Sequence, residues 1–242
     1  MLPSIPIHEI FLEEVPSTNS YLISHQSELT DWTVVTAKQQ TAGRGYAGNS
    51  WHSTKNQNLT FSILIRPKCE ISHLFYLNKM VSNSIHQVLH TYIPNQIKWP
   101  NDIIVNNKKM GGVLIENGLN QGLKYSVIGI GLNINQIQFE NLPKATSLKL
   151  ETGVHNIIDE IRYPIISSIQ KNMKLIENQH FKEIDNYYKK QLYRCDLITS
   201  FKFDNEIQSG IIRDTNSDGE LCVEMMNGII RNFKLKEIEL LY

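Results

Sequence analysis

Cysteine is scarce in this chain. Cys69, Cys195 and Cys222 are the only three in 242 residues, and no C-x-x-C pair occurs. An odd, unclustered set argues against a disulfide framework and points to a reducing compartment. An excess of either charge is missing too. Lys+Arg and Asp+Glu both number 24, so no broad field favours nucleic acid or an anionic membrane. No run of about 18 apolar residues exists to span a bilayer. The opening MLPSIPIHEIFLEE lacks a basic segment and a long apolar run, so it does not read as a signal peptide. The expectation is a cytoplasmic protein with no membrane and no nucleic-acid partner. The eight histidines show no metal-ligand spacing, and no Ser-His-Asp or Cys-His set is evident.

What is present suffices for a core. Hydrophobic residues make up 41% and charged residues 20%, below the level of disordered chains. IHEIFLEEV (7–15), TVVTA (33–37) and LTFSILIR (59–66) read as strands. Ser17 or Thr18 caps a short helix after the first. Leu74, Leu77, Val81, Ile85, Val88 and Leu89 recur at helical spacing over 72–92. QIKW, DIIVN, KMGGVLIEN and KYSVIGIGLNI follow as strands joined by hairpin-type turns, so the sheet is antiparallel or mixed. Helical patterns return at about 154–178, which Pro164 should start or kink, and at 181–191. Four short strands with turn signals fill the end, a small barrel-like module. The organisation expected is an α+β domain over 1–194 and a β-domain over 195–242.

The stretch TAGRGYAGNSWHS (41–53) carries Gly43, Gly45 and Gly48 at the G-x-G-x-x-G spacing of dinucleotide-binding loops. That motif needs a helix directly after the glycines to face a pyrophosphate. Here turn-like residues and a strand follow, which removes the mechanism. Small residues still let the backbone approach a ligand, and Arg44 offers a forked donor to phosphate or carboxylate. Trp51 could anchor the loop over a ligand.

KWPND (98–102) combines a residue held extended before Pro100 with an Asn-Asp turn. It is either a strand-ending turn with a packed Trp99 or a pocket rim bearing Lys98 and Asp102. In KKMGGVLIE (108–116), alternation from Lys109 puts Gly111, Val113 and Ile115 on its face. In VIGIGLNIN (127–135), Gly129 and Gly131 share a face and leave a bare strip of backbone, with Asn133 and Asn135 continuing it. Such strips accommodate a packed neighbour or a ligand. Together these features suggest a groove for an elongated, partly anionic ligand.

STN (17–19), QQTAGRGYAG (39–48), KWPND (98–102), KMGGVLIE (109–116) and GIGLNIN (129–135), in this order, closely resemble the biotin–protein ligases. The resemblance implies a class II synthetase-like α+β fold, with a central mixed or antiparallel sheet flanked by helices. It adds a small C-terminal SH3-like β-barrel. It implies two reactions: biotin and ATP give biotinyl-5′-AMP and pyrophosphate, and a lysine of a biotin carboxyl-carrier protein domain then takes the biotinyl group. Mg²⁺ would share the phosphate charge. Ser17, Thr18, Asn19, Gln40 and Gly112 would line the biotin pocket, with Arg44, Gly45 and Tyr46 covering the ligand. Lys109 and Arg44 would be catalytic, Lys109 meeting both the carboxylate and the α-phosphate. Trp51, Asn101, Asp102, Gly129, Gly131 and Asn133 would serve the nucleotide, Asn133 at the adenine and Asp102 in the phosphate–metal region. A full set of metal ligands is not assigned.

Two departures stand out. Many relatives carry Arg where this chain has Tyr46, and often another basic residue at Asn49. The pattern also starts within about ten residues, leaving no room for the winged-helix DNA-binding domain of some relatives, so no regulatory DNA binding is expected. A lipoate or octanoate ligase or transferase of the same fold is the alternative enzyme. A non-catalytic biotin- or nucleotide-binding module is the third reading. Monomer and homodimer both stay open.

Overall fold

The computed structural model describes residues 5–140 and 142–242, with backbone only at Ala47. Seven strands form the larger sheet: β1 (His8–Val15), β2 (Thr33–Gln40), β3 (Leu59–Ile65), β4 (Gln96–Lys98), β5 (Asp102–Val105), β6 (Lys108–Leu119) and β7 (Leu123–Leu132). Their order is β1-β2-β3-β7-β6-β5-β4. The β1–β2 pair is parallel and the others are antiparallel, so the sheet is mixed. β2 runs three residues past the expected TVVTA and carries Gln40 at its end.

Period-2 alternation divides the sheet into two faces. On one, Phe61, Ile63, Val113, Ile128 and Ile130 pack under helices α2 (Leu74–Leu89), α4 (Ile158–Glu177) and α5 (Phe181–Gln191). Burial of this apolar face drives the packing. On the other face, α1 (Thr18–His25) brings Leu22 onto Val35, Leu64 and Val127 in a small separate cluster. That cluster leaves the rest of the face free for a site.

One helix expectation is narrowed. Pro164 does not start α4, which begins at Ile158, so of start or kink the start is excluded. The ring removes the amide that would bond Glu160. Tyr92 Oη donates to that freed Glu160 carbonyl at 3.2 Å. A one-turn helix, α3 (Leu148–Thr152), went unread. Ser147 caps it through Leu150 N at 3.1 Å, and Gly153 ends it at φ 75°.

The smaller sheet holds β8 (Ile198–Phe203), β9 (Glu206–Thr215), β10 (Leu221–Met225), β11 (Ile230–Phe233) and β12 (Glu239–Leu241). All neighbours are antiparallel, in the order β11-β10-β9-β8-β12. Among the described residues β11 and β12 do not pair, so the expected barrel is an open sheet. β12 is a fifth strand beyond the four read from the sequence, too short to show a pattern. Trp99 Nε1 donates to Gly219 O at 2.9 Å. Lys79, 1% exposed, pairs with Asp185 at 2.6 Å and reaches Thr215 O at 3.4 Å. Trp99, next to β4, and Lys79, on α2, thus tie the small sheet to the larger unit. Among the described residues no helix is long and apolar enough to cross a membrane.

Candidate active site

Register alone assembles the floor of a cavity on the α1 face. Thr60 pairs with Gly131, Gly131 with Gly112, Gly112 with Asp102, and Asp102 with Lys98. The next row is Ser62, Gly129 and Leu114. Above these rows lies a cavity of about 380 Å³. Ser17, Thr18, Asn19, Gln40, Arg44, Gly45, Tyr46 and Trp51 line it. So do Asn101, Asp102, Lys109, Gly112, Gly129 and Gly131. Of the residues to which the family resemblance gives a role, only Asn133 is not on its wall.

The glycine strip on β7 is not bare. A Cβ at Gly129 would fall 2.3 Å from Asn19 Oδ1, and one at Gly131 would fall 2.5 Å from Trp51 Cε2. The two glycines make room for the Asn19 amide and the Trp51 indole to lie against the sheet.

One end of the cavity is a dense polar network. Ser17 caps α1, accepting from Ser20 N at 3.4 Å. Gln40 Oε1 accepts from Thr18 N at 2.8 Å and from Thr18 Oγ1 at 3.1 Å. Thr18 Oγ1 and Ser62 Oγ lie 2.6 Å apart, and Ser62 donates to Asn19 Oδ1 at 2.5 Å. Asn19 Nδ2 donates to Leu114 O at 3.2 Å and Glu116 Oε2 at 2.9 Å. Side chains satisfied in this way hold one orientation, so the polar end is set before a ligand arrives.

The glycine loop folds as a hairpin. Trp51 N donates to Gly43 O at 2.9 Å, Gly45 N donates to Asn49 O at 2.7 Å, and Arg44 bridges Ser50. Tyr46–Gly48 form a single 3₁₀ turn. No α-helix follows the glycines, which agrees with setting the dinucleotide reading aside. Arg44 Nη2 lies 2.6 Å from Glu116 Oε2. Tyr46 is exposed at the cavity mouth.

The other end is cationic. Lys109 Nζ sits 2.6 Å from Asp102 Oδ1. Alternation had placed Lys109 with Gly111. The β5–β6 register shifts between Ile103 and Ile104, an irregularity of the kind that re-aims side chains. Lys109 therefore lies beside Gly112, where an added Cβ would meet its Nζ at 3.6 Å. Lys98 is half-buried, with the Tyr242 ring 5.6 Å from its Nζ. Burial pulls the Lys98 pKa below its ordinary value, against the attraction of Asp102. Asn101 is buried, and its amide donates to Val113 O, which fixes the KWPND turn.

Asn133 is off the cavity wall. It is buried, and its Nδ2 donates to Thr146 O at 3.0 Å and its backbone N to Met110 O at 2.8 Å. Its Oδ1 is buried without a hydrogen-bond partner among the described residues, as is Trp51 Nε1. The residues missed in the sequence include Thr60, Ser62, Glu116, Leu235 and Lys236. Ser62 had a signal, as the lone serine inside the apolar run LTFSILI. Glu116 closes a motif already singled out, but nothing local pairs it with Arg44. Among the described residues no three His, Cys, Asp or Glu side chains form a metal cluster.

A family model described as "Biotin/lipoate A/B protein ligase family" matches residues 11–133, just over half of the chain. The chain belongs to the biotin/lipoate A/B protein ligase family. The matched segment spans β1 through β7, which includes both ends of the cavity floor. This family member resembles the bifunctional ligase/repressor BirA of Escherichia coli K12 at 27% identity, over 95% of this chain and 73% of that protein. It resembles the biotin–[acetyl-CoA-carboxylase] ligase of Mycobacterium tuberculosis at 25%, over 86% of this chain and 80% of that one. A BirA of Bacillus spizizenii is 33% identical over 60% of this chain, and the match spans about half of that relative's length, 47%. Among solved structures, biotin protein ligase from Aquifex aeolicus in complex with biotin and ATP superimposes with a TM-score of 0.81 at 28% identity. That match covers 97% of this chain and 98% of the other.

Proposed function

We propose that this chain is a biotin–protein ligase. It joins biotin to AMP with release of pyrophosphate, then passes the biotinyl group to a lysine of a carboxylase carrier domain. One observation carries the choice of biotin. The inner end of the cavity is a hydrogen-bonded set of Thr18, Asn19, Gln40 and Ser62. A cyclic urea uses such donors and acceptors. An octanoyl or dithiolane end would strip water from this polar set and offer it no hydrogen bond in return, which disfavours those acids. The fold match to a ligase solved with biotin and ATP supports the same choice.

In the first step a biotin carboxylate oxygen bonds to the α-phosphorus, and the α–β bridging oxygen leaves with pyrophosphate. Arg44 and Lys109 act by charge. Each now holds a protein carboxylate, Glu116 and Asp102, and exchanges it for ligand oxygens. Donors fixed where charge develops supply the main stabilisation. In the second step the acceptor amine attacks the anhydride carbonyl and AMP departs. The Gly43–Trp51 hairpin covers the anhydride and keeps water away. On the nucleotide side, the buried, unpaired Asn133 Oδ1 suits an exocyclic amine such as that of adenine.

Mg²⁺ suits this site as an ion carried by ATP. Asp102 is the one carboxylate on the cavity wall among the described residues, and magnesium needs only one or two carboxylates when phosphates supply the rest. We place the catalytic domain at 1–194 and the β-domain at 195–242. Arg194 and Asp196 take left-handed φ values of 59° at that junction. Biotin-dependent exchange of labelled pyrophosphate into ATP tests the first step. Exchange driven by lipoate instead of biotin would assign the chain to the other branch of its family.

A further inference from the structure

The KWPND turn lines the cationic end of the cavity, and each of its middle residues has an anchor of its own. Trp99 Nε1 donates to Gly219 O at 2.9 Å. Asn101 is held from β6, where Val113 N donates to Asn101 O at 3.1 Å and the Asn101 amide donates to Val113 O. Between them stands Pro100, which is also on the cavity wall. Proline has no N–H, so the carbonyl is its one backbone polar group. That carbonyl accepts from Tyr188 Oη at 3.0 Å.

Tyr188 lies on α5 and is 1% exposed. Its ring packs in the main core, with the Lys79 ammonium 5.7 Å from its centroid. Just past the helix, Tyr193 N donates to Ile97 O at 2.8 Å, and Leu192 bridges Ile97. Ile97 belongs to β4, the strand that leads into the turn. One helix therefore holds the strand and, through a single hydroxyl, the turn that follows. Burial raises the Tyr188 pKa, and the negative charge of nearby Asp102 adds to the rise. The hydroxyl keeps its proton and stays a donor.

A peptide unit is planar, so the Pro100 carbonyl and the Asn101 N–H turn together. Fixing the carbonyl oxygen fixes the direction in which Asn101 and Asp102 leave it. Asp102 is the carboxylate that pairs with Lys109 at 2.6 Å. We propose that Tyr188 is a positioning residue of this site, whose buried hydroxyl, bonded to Pro100 O, aims Asp102 and with it Lys109 at the phosphates of ATP. This rests on the adenylation reading above. Tyr188 is not on the cavity wall and acts only through the backbone of the turn.

The full chain carrying Tyr188→Phe tests this, because phenylalanine keeps the ring and its packing and removes only the donor. Ile184→Val is the control. Ile184 is buried on the same helix and is not on the cavity wall. Both variants should lower the Tm by about a few degrees. Only Tyr188→Phe should raise the dissociation constant for ATP in calorimetric titration, by about fivefold or more, the scale of a buried acceptor left without its donor. The KM for biotin in pyrophosphate exchange should stay within about twofold in both, since the polar end of the cavity has its own anchors. In an Asp102→Asn background, Tyr188→Phe should cost less than about a further twofold in ATP binding, because the residue it aims is already changed. Unchanged ATP binding in Tyr188→Phe, an equal loss in Ile184→Val, or losses that multiply in full in the double variant would each overturn the proposal. Titration with ATP does not depend on which acid is activated. Tight wild-type binding with no loss in Tyr188→Phe refutes the positioning role alone, whereas a wild type that does not bind ATP refutes the adenylation reading and this role with it.

Discussion

Arg44 of the glycine hairpin and Glu116 of β6 form an ion pair of 2.6 Å, and the same Glu116 oxygen accepts from Asn19 at 2.9 Å. One carboxylate thus joins the loop to the polar end of the cavity. The two side chains are 43% and 28% exposed, and pairs of that exposure are worth between about 0 and 1 kcal/mol. The latch is weak enough for a ligand carboxylate or phosphate to take Arg44 from it.

Glu116→Gln should therefore leave global stability within about 1 kcal/mol of wild type. Trypsin cleavage after Arg44 in the ligand-free protein should accelerate severalfold. Biotin with ATP should restore protection. Equal cleavage of the two proteins without ligand would show that Glu116 does not hold the loop.

Lys109→Ala should lower kcat/KM for adenylation at least about tenfold, since it removes a cation placed at the developing charge. Lys109 is 40% exposed and its partner Asp102 17%, so the fold should tolerate the change. An unchanged kcat/KM would remove Lys109 from the mechanism.

Gly129→Ala sets a Cβ where Asn19 Oδ1 now lies, at 2.3 Å. Asn19 must turn out of the cavity, and Ser62 loses its acceptor. The KM for biotin should rise at least about tenfold, with a smaller change for ATP. Equal effects on the two substrates would point to a general collapse of the site.

His86 sets a pH dependence away from the site. It is 2% exposed; Tyr187 Oη lies 2.9 Å from its Nδ1 and Asn95 O 3.0 Å from its Nε2. A neutral ring fits both contacts, donating to Asn95 O and accepting from Tyr187. Burial pushes the His86 pKa down to about 4 from 6.5, with the nearby His90 adding to the drop and the Asn95 bond opposing it. The unfolded chain then binds the proton more readily than the folded one. The neutral native ring costs nothing above pH 6.5, and stability falls as pH drops from about 6.5 to about 4. Tm measured across that window should decline, and His86→Gln should flatten the decline. An identical slope in the variant would assign the loss to other groups.

Much of this site was legible because its residues lie in compact motifs. Gly129 and Gly131 declared a face of β7, and the Asn101-Asp102 turn declared the β4–β5 hairpin. The rest depended on pairing between distant segments. Alternation put Lys109 with Gly111, and only the β5–β6 register shift, invisible locally, moved it to Gly112 and Asp102. The glycine strip looked bare because its occupants, Asn19 and Trp51, lie far away in the chain. Asn133 continued the face of Gly131 in sequence, but β7 ends at Leu132, and beyond it the Asn133 amide is tied to Thr146 O and stays off the cavity wall. Lys236 carried no motif at all; its place follows from how the small sheet docks.

The most direct test offers the chain a choice. The protein is incubated with ATP, Mg²⁺, equal biotin and lipoate, and a carboxylase carrier domain, and the intact mass of the carrier is read. The account predicts one biotinyl group on the carrier lysine, with AMP and pyrophosphate formed. A lipoyl adduct, or an unmodified carrier with no pyrophosphate released, would contradict it.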